Sequence, residues 1–303
     1  MVAFGTSNVK ATLVRHFLEG ATLVPDTYRV FTRFYQDRVA ALRIAAITGL
    51  DVIPDWTDGV DITTKDFDST GALDIDYELK AVEVRLKRYD VMDVPNLIKD
   101  VSRKMGAVVG YTYDKTAYAT LAGAFGDTNT VDGKDLCATD HSRAGSLGDR
   151  SNKLTAALDH TSFWNAIKAM RQFTNYQGQY TRFADGGLCL VVPPELEQTA
   201  IELLKSQYST TADSSGNSQF QYNGAQGMNV QMIVSPHLSD ANDWFLITTD
   251  LLETPMKLWE RSAPNFTIDL ESSSRYTKLA VDFAIKSTAG PQPDGIIGSS
   301  VSG

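Results

Sequence analysis

Gly186-Gly-Leu-Cys-Leu-Val-Val-Pro-Pro-Glu-Leu-Glu-Gln-Thr-Ala200 opens the stretch that decides how this chain folds. Its apolar run, Leu188–Val192, has no polar residue between the hydrophobic ones, which fits a central strand buried on both faces. Pro193-Pro194 ends the strand and opens a helix whose Leu196, Ala200, Leu203 and Leu204 face inward. Glu195 and Glu197 fall in its first turn, where the helix dipole favours acids. Residues 208–227, rich in Ser, Gly and Asn, read as a mobile surface loop. Two more apolar strands follow, in Val230-Gln-Met-Ile-Val-Ser-Pro-His-Leu-Ser-Asp240 and in Asp243-Trp-Phe-Leu-Ile-Thr-Thr-Asp250. No residue here carries the pattern of a catalytic centre.

Outward from this stretch, strands are expected at residues 256–260 and 278–285, and the tail from Gly290, with Pro291 and Pro293, is expected to be loose. Upstream, residues 161–173 carry Phe163, Ala166, Ile167 and Met170 on one helical face, and residues 126–153, rich in Gly, Asp, Asn and Ser, join two halves. Residues 94–125 hold a longer helical period, through Val94, Leu97, Ile98, Val101, Met105, Val108 and Val109, with Lys99, Asp100, Arg103 and Lys104 opposite. A helix of that length spans ~45 Å, enough to be the backbone of a whole subunit.

Between residues 52 and 90 the period changes to two. Leu73, Ile75, Tyr77 and Leu79 alternate with Asp74, Asp76, Glu78 and Lys80, and Val82, Val84 and Leu86 alternate with Glu83, Arg85 and Lys87. Such alternation marks half-buried strands. With an earlier strand at Val60, Ile62 and Thr64 and a turn at Ser69-Thr-Gly71, it predicts a long charged hairpin. A two-stranded ribbon is marginal alone and needs something to lie on. Residues 27–48 are compatible with a helix or an extended piece. Residues 1–26 read as an arm structured by its neighbours, with a short helix at 12–17 limited by Pro25. No repeat is present, and strands with segregated helices give an α+β architecture.

Composition narrows the function. The chain has 303 residues, 37 acidic and 28 basic, for a formal charge of −9. Phosphate contacts need clustered Lys and Arg, and no run of five basic residues occurs, which argues against direct nucleic-acid binding. No apolar run approaches the ~18 residues of a membrane span. The start, Met-Val-Ala-Phe-Gly-Thr-Ser-Asn8, lacks a signal peptide's basic and apolar regions. Two isolated cysteines, Cys137 and Cys189, make no disulfide framework.

The residues that imitate active sites fail on spacing. Asp140-His-Ser142 has the residue types of a hydrolytic triad, but adjacent side chains point apart and triads are built from distant residues. Cys137 and His141 are half a zinc site with no second close pair. Asp127-Thr-Asn-Thr-Val-Asp-Gly133 begins like a calcium loop, yet has Val131 at a ligand position and its glycine one place late. Asp74, Asp76 and Glu78 share one strand face, whose ordinary role is to meet water. No catalytic residue, cofactor site or metal site is therefore expected, and the chain is not expected to be an enzyme.

Several segments in series are similar to the major capsid proteins of tailed phages, and most of all to the Mu-like prophage major head subunit group. They are Asp132-Gly-Lys-Asp-Leu-Cys-Ala-Thr-Asp-His141, Ser151-Asn-Lys-Leu-Thr-Ala-Ala-Leu-Asp159, Leu190-Val-Val-Pro-Pro-Glu-Leu-Glu197, Ile233-Val-Ser-Pro-His-Leu-Ser-Asp240 and Asn242-Asp-Trp-Phe-Leu246. The similarity runs over about residues 50–290. It implies an α+β Hong Kong 97-type phage capsid fold with an N-terminal arm (1–50), an extended β-hairpin loop (51–91), a peripheral domain with a long spine helix (92–154), an axial domain (155–255), a return to the peripheral domain (256–290) and a flexible tail (291–303). It implies a major head protein that self-assembles into hexamers and pentamers of an icosahedral shell enclosing phage double-stranded DNA, without sequence-specific binding. A separate scaffolding protein and a portal are further implied partners, and the bacterial host cytoplasm is the implied place of assembly. Lys65, Asp66, Glu83, Arg85, Lys87 and Arg88 of the hairpin are the candidate subunit contacts, steering one copy against the next. An encapsulin-type nanocompartment is the alternative on the same fold, and a hydrolase using Asp140, His141 or Ser142 the alternative outside it.

Overall fold

The computed structural model of the protein describes residues 6–301, apart from 40, 48–68, 95, 128–129, 144–146, 182–184, 213–217, 239, 251–253, 270–275 and 291–292. The run Leu188–Val192 is β6, the hub of a five-stranded sheet. Its companions are β5 (Lys153–Leu154), β9 (Val230–Val234), β10 (Trp244–Thr248) and β13 (Ile296–Ser299), in the order β5-β13-β10-β6-β9. β6 and β9 are parallel, so the chain between them must cross over, and helix α5 (Glu197–Lys205) lies in that crossing.

Both β6 and β10 are buried along their whole length because both sheet faces are covered. Leu188, Leu190, Val192, Trp244, Leu246 and Ile297 pack with Phe163, Ile167 and Met170 of α4 (His160–Arg171) and with Ala200 and Leu203 of α5. Cys189, Val191, Phe245, Ile247 and Ile296, one residue out of phase, pack on the opposite side in a second core. Helix α4 starts with a capping box, the Asp159 carboxylate accepting from the Ser162 amide at 2.6 Å and the Ser162 hydroxyl accepting from the Asp159 amide at 2.9 Å.

The second core lies under a four-stranded sheet of β1 (Thr32–Gln36), β11 (Met256–Asp269), β12 (Tyr276–Ala289) and β4 (Glu78–Lys87), in the order β1-β11-β12-β4. The long helix, α3 (Leu97–Ala122), lies on one face of it. Met105, Val109, Tyr113 and Leu121 pack there with Leu279, Val281, Phe283 and Ile285. Helix α3 is 26 residues long, about 39 Å, and ends where Gly123 takes the cap. At its far end Phe125 stacks on Phe245 with ring centroids 5.3 Å apart, so one helix reaches both sheets.

The N-terminal segment differs from expectation. Helix α1 is sixteen residues long (Thr6–Ala21) and sits in the subunit's own core, with Leu13 and Phe17 buried and Phe17 stacked on Phe266 of β11. It lies against α3 at backbone contact. A Cβ on Gly20 would fall 1.9 Å from the Arg103 carbonyl oxygen, and one on Gly106 1.9 Å from that of Phe17. The undecided segment that follows is a 3-10 turn (Thr27–Val30), then β1 and β2 (Ala41–Ile47).

Four further expectations need correction. The alternating strands are present as β3 (Ser69–Asp76) and β4, but they do not pair with each other: β3 pairs with β2 and β4 with β12. Alternation reports which face of a strand is wet and says nothing of which neighbour it finds. Ser69-Thr-Gly71 is part of β3 rather than a turn, and the strand expected at residues 60–64 lies outside the described residues. Residues 208–227, expected to be a mobile surface loop, contain the antiparallel ribbon β7 (Tyr208–Ala212) and β8 (Ser218–Tyr222), whose Thr, Tyr and Phe residues favour strands despite the Ser-rich setting. The tail expected to be flexible supplies β13, fully buried between β5 and β10. Its glycine is what the crowded sheet centre requires, since a Cβ on Gly298 would lie 2.6 Å from Cys137 Sγ and 2.9 Å from Phe125 Cζ.

Candidate assembly surfaces

Three of the candidate contact residues, Glu83, Arg85 and Lys87, lie along β4. This strand is an edge of its sheet, and its odd-numbered side chains, Leu79, Ala81, Glu83, Arg85 and Lys87, all face solvent, while Val84 and Leu86 pack against the core. Arg85 Nε donates to Glu83 Oε1 at 2.5 Å. That hydrogen bond lowers the Glu83 carboxyl from its ordinary range and raises the Arg85 guanidinium. Opposite them on β12, Lys278 sits level with Arg85. The result is an exposed edge strand of mixed sign, which resists pairing with unselected strands and suits registration against a partner carrying its own charge pattern. Arg88 opens α2 (Arg88–Asp93), and Lys65 and Asp66 lie outside the described residues.

The ribbon β2–β3 pairs with no other strand among the described residues. Its root is clamped electrostatically: Lys286 Nζ donates to Glu78 Oε1 at 2.8 Å and Lys80 Nζ to Glu78 Oε2 at 2.6 Å, which lowers the Glu78 carboxyl. A cleft of about 990 Å³ opens between β3, the solvent side of α3 and the end of β12. Leu73, Ile75, Val108, Tyr111, Lys115 and Lys286 line it, with Val108 and Tyr111 exposed.

The residues that imitate chemistry are used structurally. His141 is fully buried, and its Nδ1–H donates to Asp132 at 2.8 Å rather than to Asp140, which instead accepts from Lys134. Burial would raise the Asp132 carboxyl, but hydrogen bonds from His141 and Thr130, with the Lys134 amide, hold it down to about 2. His141 and Arg150 also exchange backbone hydrogen bonds of 3.0 and 2.9 Å, closing the loop. Cys137 and Cys189 are free and buried, and burial pushes the Cys189 thiol up to about 12 and Cys137 upward too, so neither is a ready nucleophile. Among the described residues no three His, Cys, Asp or Glu side chains are grouped to hold a metal ion.

Sequence reasoning missed the buried polar ties between distant segments. Tyr113 of α3 donates to Glu260 of β11 at 2.6 Å, and Gln36 of β1 donates to the same carboxylate at 2.9 Å. His237, just past β9, donates to Asp114 of α3 at 3.0 Å. Asn223 holds the base of the β7–β8 ribbon. Each pair is 17 to 224 positions apart in sequence, beyond the reach of any local pattern.

The fold as a whole is shared with solved shells. The structure resembles the procapsid protein of bacteriophage JBD30 at 15% identity and a TM-score of 0.58, covering 100% of this chain and 77% of that one. It resembles the mature capsid of bacteriophage PhiM1 at 14% identity and a TM-score of 0.56 (92% and 87% covered). A virus-like particle from Pyrococcus furiosus shares the fold at 12% identity and a TM-score of 0.54 (95% and 98%). At these identities the likeness establishes the fold. No curated protein matches the sequence. A family model described as phage capsid protein, however, matches residues 70–297, which takes in α3 and most of both sheets, with β1 outside it. The chain belongs to the phage capsid protein family, whose members are structural shell proteins and not enzymes.

Proposed function

We propose that copies of this chain close, as hexamers and pentamers, into the icosahedral head of a tailed phage around its double-stranded DNA. The four-stranded sheet with α1 and α3 is the peripheral unit, β2–β3 the extended loop, and the five-stranded sheet with α4 and α5 the axial unit at the capsomer centre. The observation that carries this reading is the ribbon β2–β3, which has no third strand among the described residues and so gains its remaining contacts from a neighbour. Glu83, Arg85 and Lys87 on the adjacent edge are the residues that set register between copies. A net charge of −9 suits a container whose DNA must move in and out without sticking. Assembly in the host cytoplasm, a separate scaffolding protein and a portal belong to the same reading.

The test replaces residues 41–76, the whole β2–β3 ribbon with the segment between its strands, by a short Gly-Ser linker and compares particles by negative-stain electron microscopy. The variant is expected to remain a folded, cooperatively melting subunit and to form no closed shells, and parent-like shells would remove the ribbon from assembly. A shell built to hold cargo proteins is the competing reading on the same fold. Purified particles containing protein cargo and no DNA would favour it.

A further inference from the structure

The two roots of the β2–β3 ribbon are unequal. The strand registers place Gln36 of β1, Glu260 of β11, Ile285 of β12 and Glu78 of β4 in one row across the four-stranded sheet. β1 and β4 are the opposite edges of that sheet and run the same way, so β1 ends on this row and β4 begins on it. On the β4 side Tyr77 alone joins ribbon to sheet. On the β1 side the chain must pass β11 and β12 before Ala41 can pair with Asp76. Three strand spacings are ~14 Å. The five steps from Gln36 to Ala41 reach at most ~17 Å when fully extended. The link is a short strap with little slack.

Its starting end is held by one buried carboxylate. Gln36 Nε2 donates to Glu260 Oε1 at 2.9 Å, the Asp37 amide donates to the Glu260 carbonyl at 2.9 Å, and the Tyr113 hydroxyl of α3 donates to Glu260 Oε2 at 2.6 Å. Glu260 is only 6% exposed, so it depends on these donors rather than on water. Just past it, β11 breaks its regular pairing with β12, between Glu260 and Ser262 and again between Ser262 and Asn265. Such irregularities bend a strand and re-aim what lies beside it.

The two roots also meet. Burial raises the pKa of the Tyr77 hydroxyl, the charge of Asp37 adds to the effect, and Arg261 opposes it. That hydroxyl is shut away from solvent with no hydrogen-bond partner among the described residues. A root free to move would relieve this cost, so Tyr77 is being held.

We propose that the strap from Gln36 to Ala41 sets the angle at which β2–β3 leaves the subunit, with Gln36 and Glu260 as its positioning residues. It acts through length, holding to one direction a ribbon that no third strand pairs with among the described residues. Its consequence for assembly rests on the reading of the ribbon as the element that reaches a neighbouring copy. A fixed angle there fixes the angle between copies, and so the curvature of a closed shell.

The experiment measures the angle in unassembled subunits. Spin labels on Asp74→Cys in β3 and Lys104→Cys in α3, both exposed positions, report the ribbon-to-helix distance by pulsed electron paramagnetic resonance, while Cys137 and Cys189 are buried and stay unlabelled. The labelled parent is expected to give one narrow distance distribution. Inserting Gly-Gly after Val39 adds ~7 Å of reach and should broaden the distribution about twofold. Gln36→Ala should broaden it as well, and Gln36→Lys, which can still donate to Glu260, should restore it. If Gln36 served stability alone, Gln36→Ala would lower the melting temperature and leave the distances as they were. That result overturns the positioning role, and a broad distribution in the parent, or one that the insertion leaves unchanged, overturns the strap. Should the inserted chain fail to fold, the two Gln36 variants decide. By electron microscopy the Gly-Gly chain should give shells of mixed diameter where the parent gives one size, and uniform shells would overturn the link to curvature. A parent that builds no shells would sink the capsid reading, with the distances still deciding the strap.

Discussion

A single carboxylate shows how the loop between the two halves is held. Asp132 accepts from the ring of buried His141, and it does so with its titration held down to about 2 from an ordinary 3.8. A depressed acid contributes stability that is present above the unfolded value and lost as pH falls through the folded one. The shift is worth about 2 kcal/mol, since the group is largely shielded from solvent. Asp132→Asn should therefore melt below the parent at neutral pH, with the gap closing between pH ~4 and pH ~2. Thermal melts of unassembled subunits across that range would check it, and a gap independent of pH would remove the role given to this pair. The residue was visible in the sequence only as part of a faulty calcium loop. Its partner could not be read, because His141 lies next to Asp140, the nearer and wrong acid.

At the scale of elements, strand existence was legible and strand partnership was not. Leu188–Val192, Val230–Val234 and Trp244–Thr248 stand where their largely apolar runs place them. The long helix was equally readable because its period survives for many turns. The ribbon was misassigned because β3 and β4 carry the same alternation, while the choice of β2 and β12 as their partners is made by packing far along the chain. β13 was missed for a different reason. Four residues, Ile-Ile-Gly-Ser, amid glycines and a proline carry almost no local signal, although Ile296 and Ile297 are as buried as any in the core. A chain ending at Ala289 should consequently be recovered as aggregate, having lost the strand that joins β5 to β10, while one ending at Val301 should melt as the parent does. Soluble, cooperatively melting protein from the shorter chain would contradict the place given to β13.

In the whole molecule the two sheets are bound through α3, by the Phe125–Phe245 stack and by the His237–Asp114 hydrogen bond. They should melt together. Phe245→Ala, at a fully buried ring, is expected to cost about 3–5 kcal/mol and to lower one shared transition. Calorimetry of the unassembled subunit checks this, and two separated peaks would show that the sheets are independent. The join between ribbon and sheet has a mechanical side. Only Tyr77 separates β3 from β4, and the two do not pair, so the polypeptide runs forward from one into the other. A pull along the ribbon thus loads β4 lengthwise, and its ten registered pairs with β12 must slip at once rather than peel singly. Tension passed between subunits under internal pressure would arrive in the direction in which that sheet is hardest to tear.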